Sequence, residues 1–216
     1  MARTLIHNAV VVNEGKKTKG YVVVDGDIID RVGKGTAPAA VIAGCQTVID
    51  AGGAYLMPGV IDDHVHFRDP GLTHKGDIAS ESAAAVAGGV TSYMDMPNTR
   101  PATVSLDAWR DKMDRAAEVS IANYSFYIGA TNDNLDTLLE ADYASVPGVK
   151  LFLGSSTGNM LVDSEPMLRR MFSELPALIA VHAEDDARIR SNMETAREIF
   201  GEEPVPMELH PVIRDN

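Results

Sequence analysis

The residues best suited to chemistry are concentrated in one stretch, PGVIDDHVHFRDPG, at residues 58–71. Its apolar start leads to His64, His66 and Arg68, which occupy every second position. In a β-strand alternate side chains share a face, so the two imidazoles would lie about 6.6 Å apart along the chain. This spacing suits two ligands of one metal ion, although a pair of satisfied or exposed histidines has the same pattern. Asp62 shares that face and is expected to orient one of the rings.

Lys150 lies within an apolar run, VPGVKLFLG, that is typical of a buried parallel strand. An isolated charge in such a place is costly, so the amine must be either paired or neutral. In one interpretation the side chain reaches past the strand end to a carboxylate. In the other, a neutral amine captures CO₂ as a carbamate, which converts a cation into a carboxylate able to bridge two metal ions.

Two further apolar runs end in polar residues. VTSYMDMPN contains Asp95 and Asn98, and LIAVHAEDD contains His182. Taken alone, His182 is more typical of a core histidine than of a metal ligand, and its place among successive strand ends is what favours ligation. The loop GSSTG at residues 154–158 could hold a phosphate through backbone N–H groups. It lacks the Gly-Lys-Ser/Thr of a P-loop, so we interpret it as an active-site loop.

The elements that must position these residues change character after residue 56. Residues 1–56 contain short β-branched runs separated by Gly, Asn and Asp, with Asp25-Gly26 as a hairpin turn and no helical period. Five strand–helix units follow at a spacing of about 25 to 35 residues, which predicts a parallel sheet with helical crossovers. Helices are expected to begin near Ser105 and Pro166. Both a doubly wound sheet and a (β/α)₈ barrel fit, and both gather functional residues at the carboxyl ends of their strands.

Composition narrows the class of protein. The chain has 216 residues, of which 45% are hydrophobic, and this is enough for a globular core. Its net charge of −12 argues against a nucleic-acid partner, and it has no apolar stretch approaching the roughly 20 residues of a membrane span. The single cysteine, Cys45, excludes an internal disulfide and a cysteine-based zinc site. We therefore expect a cytoplasmic protein with no nucleic-acid partner and no membrane partner.

Four motifs together resemble one known family. PGVIDDHVHFRDPG resembles the opening signature of the cyclic-amidohydrolase branch of the amidohydrolase superfamily. GGVTSYMDMPNT resembles its second strand, GVKLFLGSSTG its lysine strand, and VHAEDD its fifth strand. The combination of HFRDPG, MPNT and KLFLGSSTG is most similar to bacterial dihydroorotases that use a carboxylated lysine. The match runs in order through essentially the whole chain.

The resemblance implies an α/β fold in which a (β/α)₈ barrel carries a small β-sandwich. Residues 1–56 would be the N-terminal part of the sandwich. Residues 57–216 would be an incomplete barrel of about five β/α units and would form the catalytic domain of a metal-dependent hydrolase. A homodimer is compatible with this assignment.

The resemblance also implies a site with two Zn²⁺ ions. His64 and His66 would bind one ion, His182 would bind the second, and carboxylated Lys150 would bridge them. A hydroxide shared by the two ions would be the nucleophile, since zinc makes hydroxide available near neutral pH.

The implied substrate is an acidic ring. Arg68 and Asn98 match the family positions that bind the substrate carboxylate, for which a guanidinium offers a two-pronged partner. The implied reaction is the reversible hydrolysis of dihydroorotate to N-carbamoyl-L-aspartate in pyrimidine biosynthesis. Two alternatives stay open: a hydantoinase or allantoinase, and an inactive dihydroorotase-like chain that serves as an assembly partner.

Part of the family pattern has no counterpart in this chain. The family uses a further histidine ligand on the sixth strand and a proton-shuttling aspartate on the eighth. His210 is a poor replacement for that ligand, because it precedes Pro211 in a proline-rich segment rather than ending an apolar strand. We therefore expect the catalytic aspartate beyond residue 216, identify no general acid or base within the chain, and expect the chain to be a fragment of a longer enzyme.

Overall fold

A computed structural model describes residues 2–154 and 159–214. The chain divides into two compact units, Met1–Gly59 and Val60–Asn216. None of the helices in the described ranges is long and apolar enough to cross a membrane.

The first unit is a mainly antiparallel sheet. Its elements in chain order are β1 Arg3–Asn13, β2 Lys16–Asp25, β3 Ile28–Lys34, α1 Ala39–Ala43, β4 Thr47–Asp50 and β5 Tyr55–Leu56. β1, β2 and β3 pair antiparallel in that order, while β4 and β5 pair in parallel with β1. Leu5, Tyr21, Val23 and Ala37 form its buried cluster.

Local sequence explains the two hairpins of this unit. The turn between β1 and β2 places Glu14 and Gly15 at φ values of 48° and 70°, as a two-residue type I′ turn requires. The hairpin expected at Asp25-Gly26 is present, since β2 ends at Asp25 and Gly26 follows at a φ of 64°. The short helix α1 was not expected, because five residues are too few to reveal a helical period.

The second unit alternates strands and helices as the sequence predicts. Its elements are β6 Val60–Val65, α2 Ile78–Ala87, β7 Val90–Asp95, α3 Leu106–Val119, β8 Asn123–Phe126, β9 Ile128–Gly129, α4 Leu135–Leu139, β10 Val149–Phe152, α5 Glu165–Glu174, β11 Ile179–His182, α6 Asp186–Phe200, a 3₁₀ turn Met207–Leu209 and α7 His210–Ile213. Side-chain caps start the helices where expected. Ser105 accepts a hydrogen bond from the Ala108 N–H before α3, and Ser164 caps α5 with Pro166 in its first turn.

The parallel strands are grouped into two sheets, β6-β7-β8 and β9-β10-β11. The chain changes partner at Tyr127: this residue donates its backbone N–H to Asp95, and Ile128 donates to Gly148. One strand-like segment therefore serves both sheets in turn. Ile128, Val149 and Leu151 belong to the buried cluster under the second sheet.

Candidate functional site

His64 and His66 lie together at the carboxyl end of β6. Their ring centroids are 5.3 Å apart with the planes inclined by 57°, and both residues are exposed. The β6–β7 pairing shifts register between Asp62 and Val65, so β6 carries one extra residue there. His64 lies within this irregular part of β6, and the pairing resumes at Val65 opposite Asp95, directly before His66.

The ring of His66 is oriented by Asn98. His66 Nδ1 lies 2.7 Å from the Asn98 side-chain oxygen, and because that oxygen only accepts, Nδ1 carries the proton. The lone pair is then on Nε2, the tautomer that a histidine presents to a metal. Burial of part of the ring lowers the pKa of His66, the bond to Asn98 opposes this, and the charges of Arg68 and His64 lower it further. The structure thus favours the neutral imidazole.

Asn98, and not Asp62, orients a histidine ring in the structure. Asp62 accepts the backbone N–H of His64 at 3.2 Å and is not seen orienting a ring, whereas Asn98 does orient one. Sequence spacing favoured Asp62 because it is two residues from His64. Asn98 is 32 positions from His66 and reaches it only through the pairing of β6 with β7.

Arg68 has an unusual backbone and, among the described residues, a guanidinium with no carboxylate partner. Its φ is 71°, in the left-handed region that a residue with a Cβ seldom adopts. The side chain is half-buried, and within the described ranges its guanidinium has no carboxylate partner. Strained backbone of this kind concentrates at functional sites. The geometry therefore leaves a cation available two residues from His66.

Lys150 is buried as predicted. All four residues of β10 are buried, and Lys150 is only 2% exposed. Its Nζ lies 5.0 Å from the Phe152 ring centroid, and no carboxylate in the described ranges forms an ion pair with it. Burial lowers the pKa of the Lys150 amine. This agrees with the neutral-amine interpretation and gives no support to a lysine that reaches a carboxylate.

His182 ends β11, the strand beside β10. It pairs in register with Phe152, and the two rings are 5.9 Å apart. Its Nε2 lies 3.9 Å from a carboxylate oxygen of Glu184, which is also paired with Arg214. Among the described residues, no three His, Cys, Asp or Glu side chains are close enough together to hold a metal ion. The structure brings His64 and His66 together but does not gather His182 with them into such a group.

The prediction that GSSTG is an active-site loop falls on Ser155 to Gly158, which lie outside the described residues.

The sequence did not reveal a buried ion pair, Lys112–Asp95, close to the backbone that follows His66. Lys112 of α3 places its Nζ 2.6 Å from an oxygen of Asp95, and their side chains are 1% and 0% exposed. Lys112 stands beside an apolar stripe of α3 that includes Trp109, Met113 and Ala116, and a lysine in such a place is usually solvated. The available signal was Asp95 itself, because a carboxylate inside an apolar strand requires a buried cation or several donors.

The comparisons with known proteins agree with this arrangement of strands and polar strand ends. The fold and motifs are those of the cyclic-amidohydrolase branch of the amidohydrolase superfamily. Residues 53–198 match the dihydro-orotase-like family, and the chain belongs to that family.

Its relatives carry more than one name. The chain is 32% identical over 199 residues to an allantoinase of Deinococcus radiodurans, covering 89% of this chain and 43% of that protein. It is 38% identical over 169 residues to a dihydroorotase of Halobacterium salinarum, covering 76% of this chain and 38% of that protein. The solved L-hydantoinase from Arthrobacter aurescens superposes with a TM-score of 0.84 at 28% identity, covering 94% of this chain and 45% of that one. The chain thus spans less than half the length of these relatives.

Proposed function

We propose that these residues form part of a metal-dependent cyclic amide hydrolase, and specifically of a dihydroorotase. The observation that carries this proposal is the Arg68 guanidinium, which has no carboxylate partner among the described residues and whose charge acts on the ring of His66. A metal site flanked by a free cation suits a cyclic amide that also bears a carboxylate, as dihydroorotate does.

The proposed metal site uses His64, His66, His182 and carboxylated Lys150 to hold two Zn²⁺ ions. The donor chemistry supports it: His66 presents Nε2 because Asn98 holds its Nδ1–H, and Lys150 has a buried amine whose pKa is lowered. A neutral amine is the form that reacts with CO₂. When bound, zinc would supply hydroxide near neutral pH and polarise the ring carbonyl.

The proposed architecture is a partial (β/α)₈ barrel carrying the N-terminal portion of a β-sandwich. Support comes from the alternation of parallel strands and helices after Val60 and from the mainly antiparallel sheet before it. In this arrangement Arg68 binds the substrate carboxylate. Asn98 was expected to share that role, but its side-chain oxygen pairs with His66, so we propose that it also orients that ring.

A hydantoinase or allantoinase is the second candidate, because relatives with those names are as similar to the chain as several dihydroorotases. Hydantoin and allantoin lack the carboxylate of dihydroorotate, so Arg68 would have no anionic partner there. The choice between these substrates therefore depends on Arg68.

The experiment compares zinc-loaded natural polypeptide that contains these residues with its Arg68→Met variant, on dihydroorotate, hydantoin and allantoin. For dihydroorotate we expect kcat/KM to fall about 100-fold in the variant with zinc content unchanged, since charge-assisted hydrogen bonds are lost. Arg110→Met, which removes an exposed arginine of α3, is the matched control and should be near normal. Turnover of hydantoin or allantoin alone, or normal kcat/KM for Arg68→Met, would contradict the dihydroorotase proposal.

A further inference from the structure

The backbone between His66 and Arg68 is held by the buried ion pair. The Phe67 N–H donates to Asp95 Oδ1 at 2.8 Å, and the other oxygen of that carboxylate contacts Lys112 Nζ. Lys112 also donates to the Met96 carbonyl at 3.2 Å and lies over the Phe126 ring at 4.6 Å. Both oxygens of Asp95 are therefore used, and one of them is bonded to the residue between the proposed metal ligand and the proposed substrate-binding cation.

The other side of Arg68 is held from the same helix. Asp69 is 5% exposed and lies 3.5 Å from Arg115 Nε, one turn beyond Lys112 on α3. The Asp69 carboxylate also accepts the Ile78 N–H at 3.4 Å, at the start of α2. Arg68, with its left-handed backbone, thus lies between two anchored neighbours.

Stability alone does not account for a buried ion pair at this position. Removing two charges from water costs about as much as their attraction returns, and well-packed apolar pairs often replace such pairs without loss. A carboxylate with one oxygen fixed by Lys112 does give Phe67 an acceptor in a defined position, which an apolar pair cannot do. The pair is explained by the placement of the backbone rather than by net stabilisation.

We propose that Lys112 and Asp95 are positioning residues of the site: their ion pair fixes the Phe67 amide and so sets the directions in which the His66 and Arg68 side chains leave the backbone. For its functional consequence this proposal rests on the function proposed above. Neither residue contacts substrate or metal in this account.

The test compares two double variants that differ only in whether residue 95 can accept the Phe67 N–H. Lys112→Met/Asp95→Asn keeps a side-chain oxygen, and Lys112→Met/Asp95→Leu removes it. Both are uncharged at the two positions, so neither leaves a buried charge unpaired. An exposed pair on the same helix, changed as Arg110→Met/Asp107→Asn, is the matched control.

The first measurement is hydrogen exchange at the Phe67 amide of the chain, relative to the amides of β10. We expect near-normal protection with Asp95→Asn in the double variant and at least tenfold faster exchange with Asp95→Leu. In the active natural polypeptide the Leu variant should also raise KM at least tenfold with zinc retained. A merely structural role would reduce the folded fraction and apparent kcat while leaving KM unchanged.

Equal Phe67 exchange in the two double variants would overturn the proposal. Hydrogen exchange at Phe67 needs neither metal nor substrate, so its result does not depend on whether the proposed function is correct. A difference in exchange in a protein that hydrolyses no cyclic amide would support the anchoring and refute the dihydroorotase assignment. Normal hydrolysis with equal exchange and equal KM would refute the positioning role and leave the assignment intact.

Discussion

Replacing Lys150 by methionine should make the chain more stable. The side chains are of similar length, and β10 is buried along its whole length. Lys150 has no carboxylate partner among the described residues, and burial lowers the pKa of its amine. The wild-type residue therefore carries an uncompensated cost of burial that methionine does not.

The magnitude follows from the cost of taking a polar group out of water without an ion-pair partner, about 1–3 kcal/mol. Taking about 2 kcal/mol, the melting temperature of a protein of this size should rise by roughly 4–8 °C. The lowered pKa also determines whether stability rises or falls with pH. Because the folded-state pKa of Lys150 lies below the unfolded value near 10.5, the unfolded chain binds more protons between those two values. Wild-type stability should rise with pH across that window, and the advantage of Lys150→Met should shrink there.

The assay is urea unfolding of wild type and variant in CO₂-depleted buffer with a chelator, at several pH values from 7 to about 10.5. Lys75→Met, at an exposed lysine, is the matched control and should change the free energy of unfolding by less than about 0.5 kcal/mol. A second arm adds ¹³C-bicarbonate, which should give a carbamate resonance in wild type and none in Lys150→Met. A variant less stable than wild type, or an advantage that grows with pH, would refute the account of an unpaired buried amine.

Three further substitutions test the supports of the site. Lys112→Met should lower the free energy of unfolding by about 3–5 kcal/mol, because it leaves Asp95 charged and buried. In urea titrations, adding Asp95→Asn should recover most of that loss. An equal loss in the single and the double variant would contradict the pairing. Asn98→Leu should release the Nδ1 proton of His66, and ¹⁵N NMR should then show mixed ring tautomers, whereas an unchanged single tautomer would exclude Asn98 as the orienting group. Ser105→Ala should cost about 1 kcal/mol through loss of the α3 cap, as judged from the midpoint of denaturant unfolding, and no measurable loss would show that the cap is dispensable.

Local signals in the sequence were sufficient for the starts of α3 and α5 and for the exceptional lysine. Ser105 and Pro166 marked helix starts because capping and first-turn preferences act within a few residues. Lys150 was recognisable because a charge inside an apolar strand conflicts with its surroundings, and the structure buries it.

Long-range partners could not be predicted in the same way. The His66–Asn98 bond and the Lys112–Asp95 pair join elements that are adjacent only after the strands have paired. The separation of the strands into two sheets depends on a change of backbone hydrogen-bonding partner at Tyr127, and no pattern in the sequence predicts that change.

Because Asp95 and Asp69 both pair with cations of α3, the rotation of this helix about its axis matters for the site. Lys112 and Arg115 are three residues apart on one side of α3, where Lys112 pairs with Asp95 at the end of β7 and Arg115 pairs with Asp69 in the loop that contains Arg68. A single residue inserted between Ser105 and Lys112 would turn both cations by about 100° around the helix axis. Length changes in that first stretch of α3 should therefore be far less tolerated than substitutions on its exposed face, although among the described residues no hydrogen bond or ion pair joins it to the histidines or Arg68.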